Sequence, residues 1–572
     1  MSSNTKRIIC FALVFVLMHA IVSVDVIAKV AAVTIKEIVS GLDYDSAGSY
    51  ANFSWTEFGS AGGFSDGLLA VGKEGKWGFI DKNGKVIVPL QYDGVYTFSE
   101  GLALVVKDTK YGYVDKTGNE VITPTYANAW SFSEGLAGVR TGSYSLSGRT
   151  GFIDKTGKVV IPLEYDMVSK FSEGFAVVMR QKLVQRPDDW PERYGDEIPS
   201  TSYGYVDRTG RLIRPMETSV AYDFSEGFGQ VEEGFIDYTG KVVIQIAPTL
   251  SIHDFSEELA LVKGVRLTDG SLPLVDDMNV GFAGEERILR PEEMFIDREG
   301  NIVFSGEDEI VSFHSFSEGM AAAGKRPNMY TPRKWGFIDK GGNVVIQCEY
   351  DDVEDFKEGF ARVSNDGKYG YINKTGKLVV PIIYERPAIG SVNDQIFLDG
   401  TDFSEGFARV YKDGKWGFVD TTGEVIVPLI YDEVYPFNGG LSAGFKDGKL
   451  SIFEIVEKPI SVIVNGSALA LEQPPIIENE RTLVPLRAIF EALGADVEWD
   501  QSTQTVTAIR GDVIITLRID SNILTRNNDE IKLDVSAHII GGRTVVPVRA
   551  IAESFGAEVD WNPETRTVKI TE

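Results

Sequence analysis

The sequence predicts a mainly β fold, in which a long repeat array is followed by a small α+β domain. Three observations predict it: an aromatic-glycine phrase that recurs through most of the chain, strand-like segments separated by glycine turns within each copy, and a second, unrelated duplication further on. A repeat period of roughly 20 to 50 residues indicates units that bury their apolar surfaces against their neighbours. A chain of 572 residues is also too long for one hydrophobic core.

The first element is a predicted signal peptide at residues 1–32. The basic pair Lys6-Arg7 precedes an apolar run at residues 8–18, and the small residues at 30–32 fit a cleavage site. The run is short for a helix that spans a bilayer, so we expect no stable membrane span after cleavage. The sequence alone does not decide whether the segment is cleaved or retained as an anchor.

Ten copies of one phrase then fill the predicted array, residues 33–455. Each copy opens with a tetrapeptide of the type Phe-Ser-Glu-Gly, and regular copies are about 34 residues apart. The opening phenylalanines are Phe64, Phe98, Phe132, Phe171, Phe224, Phe255, Phe316, Phe356, Phe403 and Phe437. Longer gaps indicate inserted loops around residues 181–202 and 264–292, and insertions of this kind often carry binding functions.

Each copy contains three strand signals separated by turns. Residues 102–107 illustrate the first strand, residues 76–81 the second, of the type Lys-Trp-Gly-Phe, and residues 84–89 the third, which ends in proline. Lys-Asp-Gly and Asp-Lys-Thr-Gly sequences supply the turns. The glycine after the tryptophan, as at Gly78, lies inside a strand and therefore indicates a bulge or the close approach of another backbone.

The sequence favours an open, twisted array of about ten three-stranded β-hairpin repeats. Propellers usually carry about four to eight blades, and these units are short for a blade. Propeller-like rings are therefore the alternative, and closed and open arrangements are not separated by the sequence. A tyrosine six residues before the tetrapeptide, as Tyr92 is before Phe98, indicates an aromatic contact at each junction between copies.

The second duplication marks a C-terminal domain at residues 456–572. Stretches of twenty residues that begin at Arg481 and Arg543 are identical at twelve positions. Each has a proline where a helix would begin, a glycine where it would end, and a Val-x-Trp strand afterwards. A small α+β domain with internal two-fold symmetry is predicted. The two helices would carry matching ion pairs, Arg487 with Glu491 and Arg549 with Glu553.

Both parts resemble known families. KWGFID, GKVIVP and FSEGLA, which occur together and in order, closely resemble the WG (KWG) β-repeat family over roughly residues 60–455. The two copies of RT(L/V)VP(L/V)RAI and GA(D/E)V(E/D)W resemble the copper amine oxidase N-terminal-like, or stalk, domain over about residues 460–572. The first resemblance implies an interaction module of bacterial proteins. The second implies an accessory module of the cell envelope, without the copper and quinone cofactor of the oxidase's catalytic domain.

Charge and motif content favour a binding protein over an enzyme. The net charge of −28 argues against nucleic acid as a partner, because nucleic-acid binding needs a basic surface. His253, His314 and His538 are far apart in sequence, and no catalytic or metal-ligand motif occurs, so we expect no cofactor, metal or catalytic residue. The alternative is an extracellular hydrolase of cell-wall polymers or glycans, with paired carboxylates from residues 181–202 or 264–292.

One repeated position is a candidate for ligand stacking. It holds an aromatic ring in six copies: Trp77, Tyr111, Tyr203, Trp335, Tyr369 and Trp416. Exposed rings in a row could stack on the sugar rings of a glycan, whereas buried rings would form the core between copies, the commoner role of large aromatics. The sequence thus predicts a secreted, non-catalytic binding or scaffold protein, extracellular or associated with the bacterial cell envelope. Its partner would be a cell-wall glycan or an envelope protein, and neither the ligand nor the oligomeric state is identified.

Overall fold

A computed structural model of the protein is dominated by strands, which confirms the mainly β prediction. The structure describes residues 33–47, 63–142, 148–185, 197–246, 251–266, 290–306, 310–326, 331–387, 402–563 and 565–572. One compact unit comprises residues 37–454, and a second contains residues 455–572. The predicted signal peptide and the middle of both predicted insertions, at residues 186–196 and 267–289, lie outside the described residues and stay predictions.

Within the described residues, the array consists of ten small sheets, numbered here in chain order, and each contains one copy of the repeated phrase. Strand β1 is Val33–Leu42. Sheets 1 to 3 contain β2 Ser46–Ala47, β3 Phe64–Ser65, β4 Leu68–Lys73, β5 Lys76–Asp81 and β6 Val86–Tyr92; β7 Gly94–Ser99, β8 Leu102–Lys107, β9 Lys110–Asp115 and β10 Glu120–Tyr126; and β11 Asn128–Ala129, β12 Leu136–Thr141, β13 Arg149–Asp154 and β14 Val159–Tyr165. Sheets 4 to 6 contain β15 Met167–Val168, β16 Phe175–Gln185, β17 Glu197–Asp207 and β18 Leu212–Thr218; β19 Gly229–Val231, β20 Gly234–Ile236 and β21 Val242–Gln245; and β22 Ser251–Ser256, β23 Leu259–Arg266, β24 Arg290–Ile296 and β25 Ile302–Ser305.

The remaining sheets of the array follow the same plan. Sheets 7 and 8 contain β26 Ile310–Phe313, β27 Met320–Lys325, β28 Lys334–Asp339 and β29 Val344–Tyr350; and β30 Asp352–Val353, β31 Phe360–Asn365, β32 Lys368–Asn373 and β33 Leu378–Glu385. Sheets 9 and 10 contain β34 Phe407–Lys412, β35 Lys415–Asp420 and β36 Val425–Tyr431; and β37 Glu433–Val434, β38 Leu441–Lys446 and β39 Lys449–Glu457, together with β1.

A complete sheet is an antiparallel meander of four strands, one more than the sequence predicts. In sheet 2, β7 pairs with β8, β8 with β9, and β9 with β10. The additional strand is the segment before the tetrapeptide, which the sequence assigns to the link between copies. In several sheets, as in β11 and β15, this strand is only two residues long. A strand of that length is too short to show an alternating pattern.

The glycine of the Trp-Gly pair is required because two backbones approach each other closely there. The pairing of β9 with β10 shifts in register between Ile122 and Tyr126, which marks a bulge. A Cβ atom on Gly112 would lie 2.5 Å from the carbonyl oxygen of Ile122 and 2.5 Å from the nitrogen of Pro124. The predicted close approach is confirmed, and the approaching backbone is the neighbouring strand of the same sheet.

Successive sheets pack face to face through the phenylalanine of the tetrapeptide. The ring centre of Phe98 in sheet 2 lies 4.8 Å from that of Phe79 in sheet 1, and Tyr92 belongs to the same buried cluster. Equivalent pairs at 4.7 to 5.3 Å continue along the array: Tyr113–Phe132, Phe152–Phe171, Tyr205–Phe224, Phe235–Phe255, Phe295–Phe316, Phe337–Phe356, Tyr371–Phe403 and Phe418–Phe437. Aromatic contacts therefore occur at these junctions, but the partner ring comes from the strand that carries the Trp/Tyr-Gly pair; Tyr92, the predicted partner of Phe98, lies in the same buried cluster.

The last sheet of the array packs against the first. Leu441 of sheet 10 shares a buried cluster with Leu69 of sheet 1, and the Tyr435 hydroxyl donates to the Ala47 carbonyl oxygen at 3.0 Å. Strand β1 completes sheet 10 by pairing with β39. The array is therefore closed, as in the propeller-like alternative, and not open as the repeat count favours. The reason is that a strand outside the repeated phrase supplies the missing edge of the last sheet.

The C-terminal unit is an α+β domain built around its internal duplication. Its elements are β40 Ser461–Val464, β41 Ser467–Ala468, β42 Ile476–Glu478, β43 Arg481–Pro485, α1 Leu486–Ala492, β44 Asp496–Asp500, β45 Thr505–Arg510, β46 Val513–Arg518, β47 Ile523–Arg526, β48 Asp529–Lys532, β49 His538–Ile540, β50 Arg543–Pro547, α2 Val548–Ser554, β51 Glu558–Asn562 and β52 Thr567–Thr571. The duplicated strands β43 and β50 pair antiparallel, with Val484 opposite Val546. The duplicated helices meet through Phe490 and Phe555, whose ring centres are 5.3 Å apart.

Both helices end as the duplicated sequence predicts. Gly494 and Gly556, just after the helices, have positive φ angles of 75° and 85°, which glycine adopts without steric cost. The predicted ion pairs form at 4.0 Å between Arg487 and Glu491 and at 3.6 Å between Arg549 and Glu553. In the described part of the chain, neither helix has the length or the apolar run that crossing a bilayer requires.

Candidate functional site

The serine of the repeated tetrapeptide links each sheet to the next. The Ser99 hydroxyl in sheet 2 donates a hydrogen bond of 2.7 Å to the carbonyl oxygen of Phe132 in sheet 3. Seven further copies within the described residues make the same bond: Ser65 to Phe98, Ser133 to Phe171, Ser172 to Phe224, Ser225 to Phe255, Ser256 to Phe316, Ser317 to Phe356 and Ser404 to Phe437. This repeated hydroxyl therefore has a structural partner in each of these copies.

The acidic residue of the tetrapeptide also links sheets, and we call its side chain the linking carboxylate. Glu358 of sheet 8 accepts hydrogen bonds from the backbone N–H groups of Glu405 and Gly406 in sheet 9, at 2.7 and 2.8 Å. Its φ of 51° lies in the left-handed region that residues other than glycine seldom adopt. Comparable bonds join Glu100 to Gly135, Glu134 to Gly174, Glu173 to Gly227, Glu226 to Glu257 and Glu258, Glu257 to Gly319, Glu318 to Gly359, and Glu405 to Gly439 and Gly440.

In several copies, a basic side chain from the next sheet approaches the linking carboxylate. It comes from the turn between the third and fourth strands. The Lys155 Nζ atom lies 3.1 Å from the carboxylate of Glu100 and donates to the Glu100 carbonyl oxygen at 2.9 Å. The same pairing joins Lys116 to Asp66, Arg208 to Glu134, Lys340 to Glu257 and Lys374 to Glu318. The repeated Ser, Glu and Lys thus hold the array together.

The aromatic rings predicted to stack on a ligand lie largely between the sheets. Trp77, Tyr369 and Trp416 are 8%, 1% and 5% exposed. Tyr111, Tyr203 and Trp335 are partly buried. This burial favours the core interpretation that the sequence left open beside the glycan interpretation. Stacking on a glycan stays a prediction, for which the three partly buried rings would offer the accessible surface.

The two residues directly before the tetrapeptide differ strongly from copy to copy, and we call them the bulge pair. In β7 the register shifts between Val95 and Phe98, and in β22 between Ile252 and Phe255, so each shift falls at the bulge pair. Bulges re-aim side chains and are frequent beside functional sites. The described bulge pairs are Tyr96-Thr97, Trp130-Ser131, Ser169-Lys170, Tyr222-Asp223, His253-Asp254, His314-Ser315, Glu354-Asp355 and Tyr435-Pro436.

Two histidines that the sequence treats as isolated occupy equivalent places in neighbouring sheets. His253 and His314 are the first bulge-pair residues of sheets 6 and 7. His314 Nδ1 lies 3.0 Å from Asp355 Oδ1, and its ring centre lies 4.9 Å from that of Trp335, one of the predicted stacking residues. A search for local metal or catalytic spacing misses this grouping. The signal that could have found it is the identical offset of both histidines from the tetrapeptide.

The two histidines have opposite electrostatic surroundings. The hydrogen bond with Asp355 raises the pKa of His314, although burial acts against this shift. Burial lowers the pKa of His253, and the ammonium of Lys263 adds to the effect. Lys263 Nζ itself lies 3.5 Å from the carboxylate of Glu293. We name His253, Lys263, Glu293, His314, Trp335 and Asp355 the histidine cluster. It combines cationic, anionic and aromatic groups suited to hydrogen bonding with a polar ligand.

Carboxylates at the second bulge position continue this polar character. Burial raises the pKa of Asp223, and it raises the pKa of Asp402, where the Arg362 guanidinium acts against the shift. Arg362 is itself 5% exposed and pairs with Glu354. Within the residues that the structure describes, no group of three or more His, Cys, Asp or Glu side chains is arranged to hold a metal ion. The paired carboxylates predicted for a hydrolase fall mainly in undescribed parts of the insertions, so that alternative stays a prediction.

Comparison with known proteins assigns both parts of the chain. Nine stretches match the family described as WG containing repeat, at residues 56–77, 77–111, 111–144, 151–182, 203–233, 335–369, 369–394, 399–416 and 416–449. Residues 463–570 match the copper amine oxidase N-terminal domain. A protein from Brevibacillus choshinensis named "Protease inhibitor" is 29% identical over 113 residues, which are 19% of this chain. The match covers 34% of that protein, so this chain spans about a third of the relative's length.

Solved structures resemble the chain only weakly. The structure titled "Crystal structure of the eukaryotic initiation factor" gives a TM-score of 0.32 at 11% identity, covering 59% of this chain and 94% of that one. The V. cholerae biofilm matrix protein Bap1 gives 0.24 at 9% identity, covering 74% and 91%. The AfRom2 CNH domain gives 0.23 at 11% identity, covering 74% and 99%. Scores this low support no argument about function.

The two matched domain types have a common character. Both are accessory modules rather than catalytic domains, and both are typical of extracellular or envelope-associated proteins. The repeat matches fall on the sheets of the array, and the second match falls on the duplicated α+β unit. The chain is therefore a WG-repeat protein with a C-terminal copper amine oxidase N-terminal domain, as its motifs predict.

Proposed function

We propose that the protein is a secreted, non-catalytic binding or scaffold protein of the bacterial cell envelope, and that its array is the recognition surface. One observation carries this proposal. The repeated Phe, Ser, Glu and Lys residues are engaged in contacts between sheets, whereas no two of the eight described bulge pairs have the same two residues. A rigid framework with variable residues at equivalent places is the usual design of repeat proteins that bind.

The bulge pairs offer two kinds of recognition chemistry. Tyr96 and Tyr222 provide accessible aromatic groups in sheets 2 and 5, whereas Trp130 and Tyr435 are buried. His253, His314 and Asp355 provide hydrogen-bonding groups in sheets 6 to 8. Aromatic rings beside polar side chains suit both sugar rings and protein surfaces. The net charge of −28 disfavours polyanionic partners, so a cell-wall glycan of low negative charge or an envelope protein is the proposed partner.

The C-terminal domain is proposed to act as an accessory or anchoring module. It has its own buried core, to which Val484, Ile489 and Ile551 belong. Its exposed surface offers neither a catalytic motif nor, among the described residues, a group of metal ligands. The resemblance to a stalk domain of secreted proteins supports this role.

A pull-down of residues 33–572 and of a 33–457 truncation on purified peptidoglycan and wall glycans tests the proposal. Retention of both forms would assign binding to the array. Loss of binding on truncation would make the C-terminal domain the anchor and leave the array to display its surface to another partner. Absence of binding by both would contradict a wall ligand, and release of soluble sugar products would support the hydrolase alternative.

A matched pair of variants then tests the bulge pairs. The Tyr222 side chain is 54% exposed in its bulge pair, and Val159 is 46% exposed on the fourth strand of sheet 3. Both should tolerate truncation because neither is buried. Tyr222→Ala is expected to weaken retention by the array, and Val159→Ala to leave it unchanged. Equal retention of the two variants would contradict a role for the bulge pair of sheet 5.

A further inference from the structure

One linking carboxylate lies beside an open cleft and has a tyrosine where other copies have a basic residue. In sheet 5 the turn position that corresponds to Lys155 is occupied by Tyr238, whose hydroxyl donates to the carboxylate of Glu173 at 3.1 Å. Among the described residues, Glu173 forms no ion pair. A cavity of about 660 Å³ opens here, and we call it the Tyr238 cleft. Its lining includes Glu173, Glu226, Asp237, Tyr238, Glu258 and Arg298.

Other copies of the repeat show which chemical group fits beside a linking carboxylate. The ammonium of Lys155 lies 3.1 Å from the carboxylate of Glu100, and that of Lys340 lies 3.3 Å from the carboxylate of Glu257. Each ammonium also donates at 2.9 Å to the carbonyl oxygen of the same glutamate. The fold therefore already accommodates a lysine side chain at this position, with two acceptors for its ammonium. At Glu173 no lysine of the chain takes this position: the Tyr238 hydroxyl donates to the carboxylate instead, and the nearby guanidinium of Arg298 packs against Phe228.

Tyr238 adds an aromatic face to these acceptors. Its side chain is 50% exposed, and its ring stacks on Phe175 and Phe224 with both ring centres 5.5 Å away. The centres of Phe175 and Phe224 are only 4.8 Å apart, so both rings lie on the same side of Tyr238. Because Tyr238 is half exposed and lines the cleft, the opposite face of its ring is the one we assign to a ligand. A cation near that face is attracted by the electrons of the ring.

The charge of the lining favours a cationic ligand. The lining contains four carboxylates and one guanidinium. The guanidinium carbon of Arg298 lies 4.9 Å from the ring centre of Phe228, so this cation packs against that ring. An anionic ligand would meet several like charges at close range. A cation would also be attracted from a distance by a protein whose net charge is −28.

We propose that the Tyr238 cleft binds a lysine side chain of a partner polypeptide, whose ammonium lies beside the Glu173 carboxylate and the Tyr238 ring, much as the Lys155 ammonium lies beside the carboxylate of Glu100. Lysine is favoured because the array itself seats this side chain, stem and ammonium together, at the equivalent place in four other copies. The inference rests on the binding function proposed above and specifies the chemistry of one partner.

The test measures binding of a fluorescent, lysine-containing pentapeptide to the full chain by fluorescence anisotropy at 150 mM salt. Tyr238→Lys places an ammonium of the protein itself in the cleft and should weaken peptide binding at least tenfold. Leu212→Lys adds the same charge at a position that is 44% exposed on β18, outside the cleft, and should bind like the unchanged protein. The same peptide with acetylated lysines should not bind. Glu173→Gln should also weaken binding, through loss of the carboxylate charge.

Several outcomes would overturn the proposal. Equal weakening by Tyr238→Lys and Leu212→Lys would mean that only the diffuse acidic surface attracts the peptide. Undiminished binding to Tyr238→Lys would place the peptide elsewhere. The cleft would instead be a sugar site if the unchanged protein bound a glucosamine oligomer but not the peptide, and if Tyr238→Lys abolished binding of the oligomer. If the unchanged protein still binds walls but not the peptide, the cleft inference alone fails; if it binds the peptide but no wall material, the wall ligand alone fails.

Discussion

Single residues show the clearest division between structural and functional positions. Gly112, Ser99 and Glu358 belong to the repeated phrase, and each has a backbone or packing reason for its identity. His253 and His314 stand at the variable bulge pair, and their surroundings differ in charge. Residues of the first kind should affect stability when changed. Residues of the second kind should affect protonation and ligand binding.

Gly112→Ala should destabilise the array strongly. The new methyl group would lie 2.5 Å from backbone atoms of Ile122 and Pro124, so β10 would have to move. We expect a loss of about 3 kcal/mol, the upper range for overpacking. Gly101→Ala is the matched control: it has a φ of 87° but open space around it, and should lose about 1 kcal/mol to backbone strain. Denaturant unfolding compares the two, and identical midpoints would contradict the steric explanation.

His314 should keep its proton to a higher pH than His253. Its folded pKa is raised above the ordinary value of 6.5 by Asp355, whereas burial lowers that of His253. Protonated His314 therefore stabilises the folded state below its unfolded pKa, and this contribution is lost as the pH rises through the folded value. NMR titration of the imidazole ring protons measures the titration midpoints of His314 and His253. Asp355→Asn should lower the midpoint of His314, and coincident midpoints in the unchanged protein would contradict the assignment.

At the scale of elements, the turn that carries the tetrapeptide determines how sheets join. The turn places a glutamate in a left-handed conformation, which is strained, and the same conformation directs its carboxylate to the amides of the next turn. Hydrogen bonds to a charged acceptor are stronger than neutral ones and offset this strain. The sheet and its connection are therefore specified by one tetrapeptide.

Glu358→Ala should cost about 2 kcal/mol, because two backbone amides lose a charged acceptor while the strained φ of 51° remains. Glu358→Gly removes the same carboxylate but tolerates the conformation, so it should be about 1 kcal/mol less destabilising. Denaturant unfolding of both variants measures the difference. If neither variant shifts the midpoint, the carboxylate does not contribute to the junction of sheets 8 and 9.

Elements could be predicted from the sequence where the signal is local. β8, β9 and the turns around them follow from alternating residues and glycine positions, and the two helices follow from the duplicated proline and glycine. The two-residue strands β11 and β15 carry no detectable pattern. The histidine cluster depends on register across sheets, so two histidines 61 residues apart show no motif. The sequence identified Trp335 as a candidate ligand-stacking residue, but it gave no sign that His314 lies beside it.

At the scale of the whole array, closure was the feature that sequence could least predict. It depends on Tyr435 reaching Ala47 and on Lys449 reaching Asp43 at 2.7 Å, pairs separated by nearly the length of the array. No periodicity encodes such a contact. In an open array, end units have one neighbour and are less stable than central units. In a closed array every sheet has two neighbours.

This difference makes closure testable in solution by hydrogen exchange. Sheets 1 and 10 should be protected as well as the central sheets, because Leu69 and Leu441 share a buried cluster to which Ile38 and Leu42 of β1 also contribute. Deletion of residues 33–42 removes that contribution and the edge strand beside β39, so sheets 1 and 10 should lose protection before sheets 2 and 3 do. Tyr435→Phe, which removes only the hydrogen bond to Ala47, should give a smaller loss at the same sheets. If sheets 1 and 10 of the unchanged protein already exchange faster than sheet 3, the array is open in solution, and its binding surface is an extended row of bulge pairs instead of a closed one.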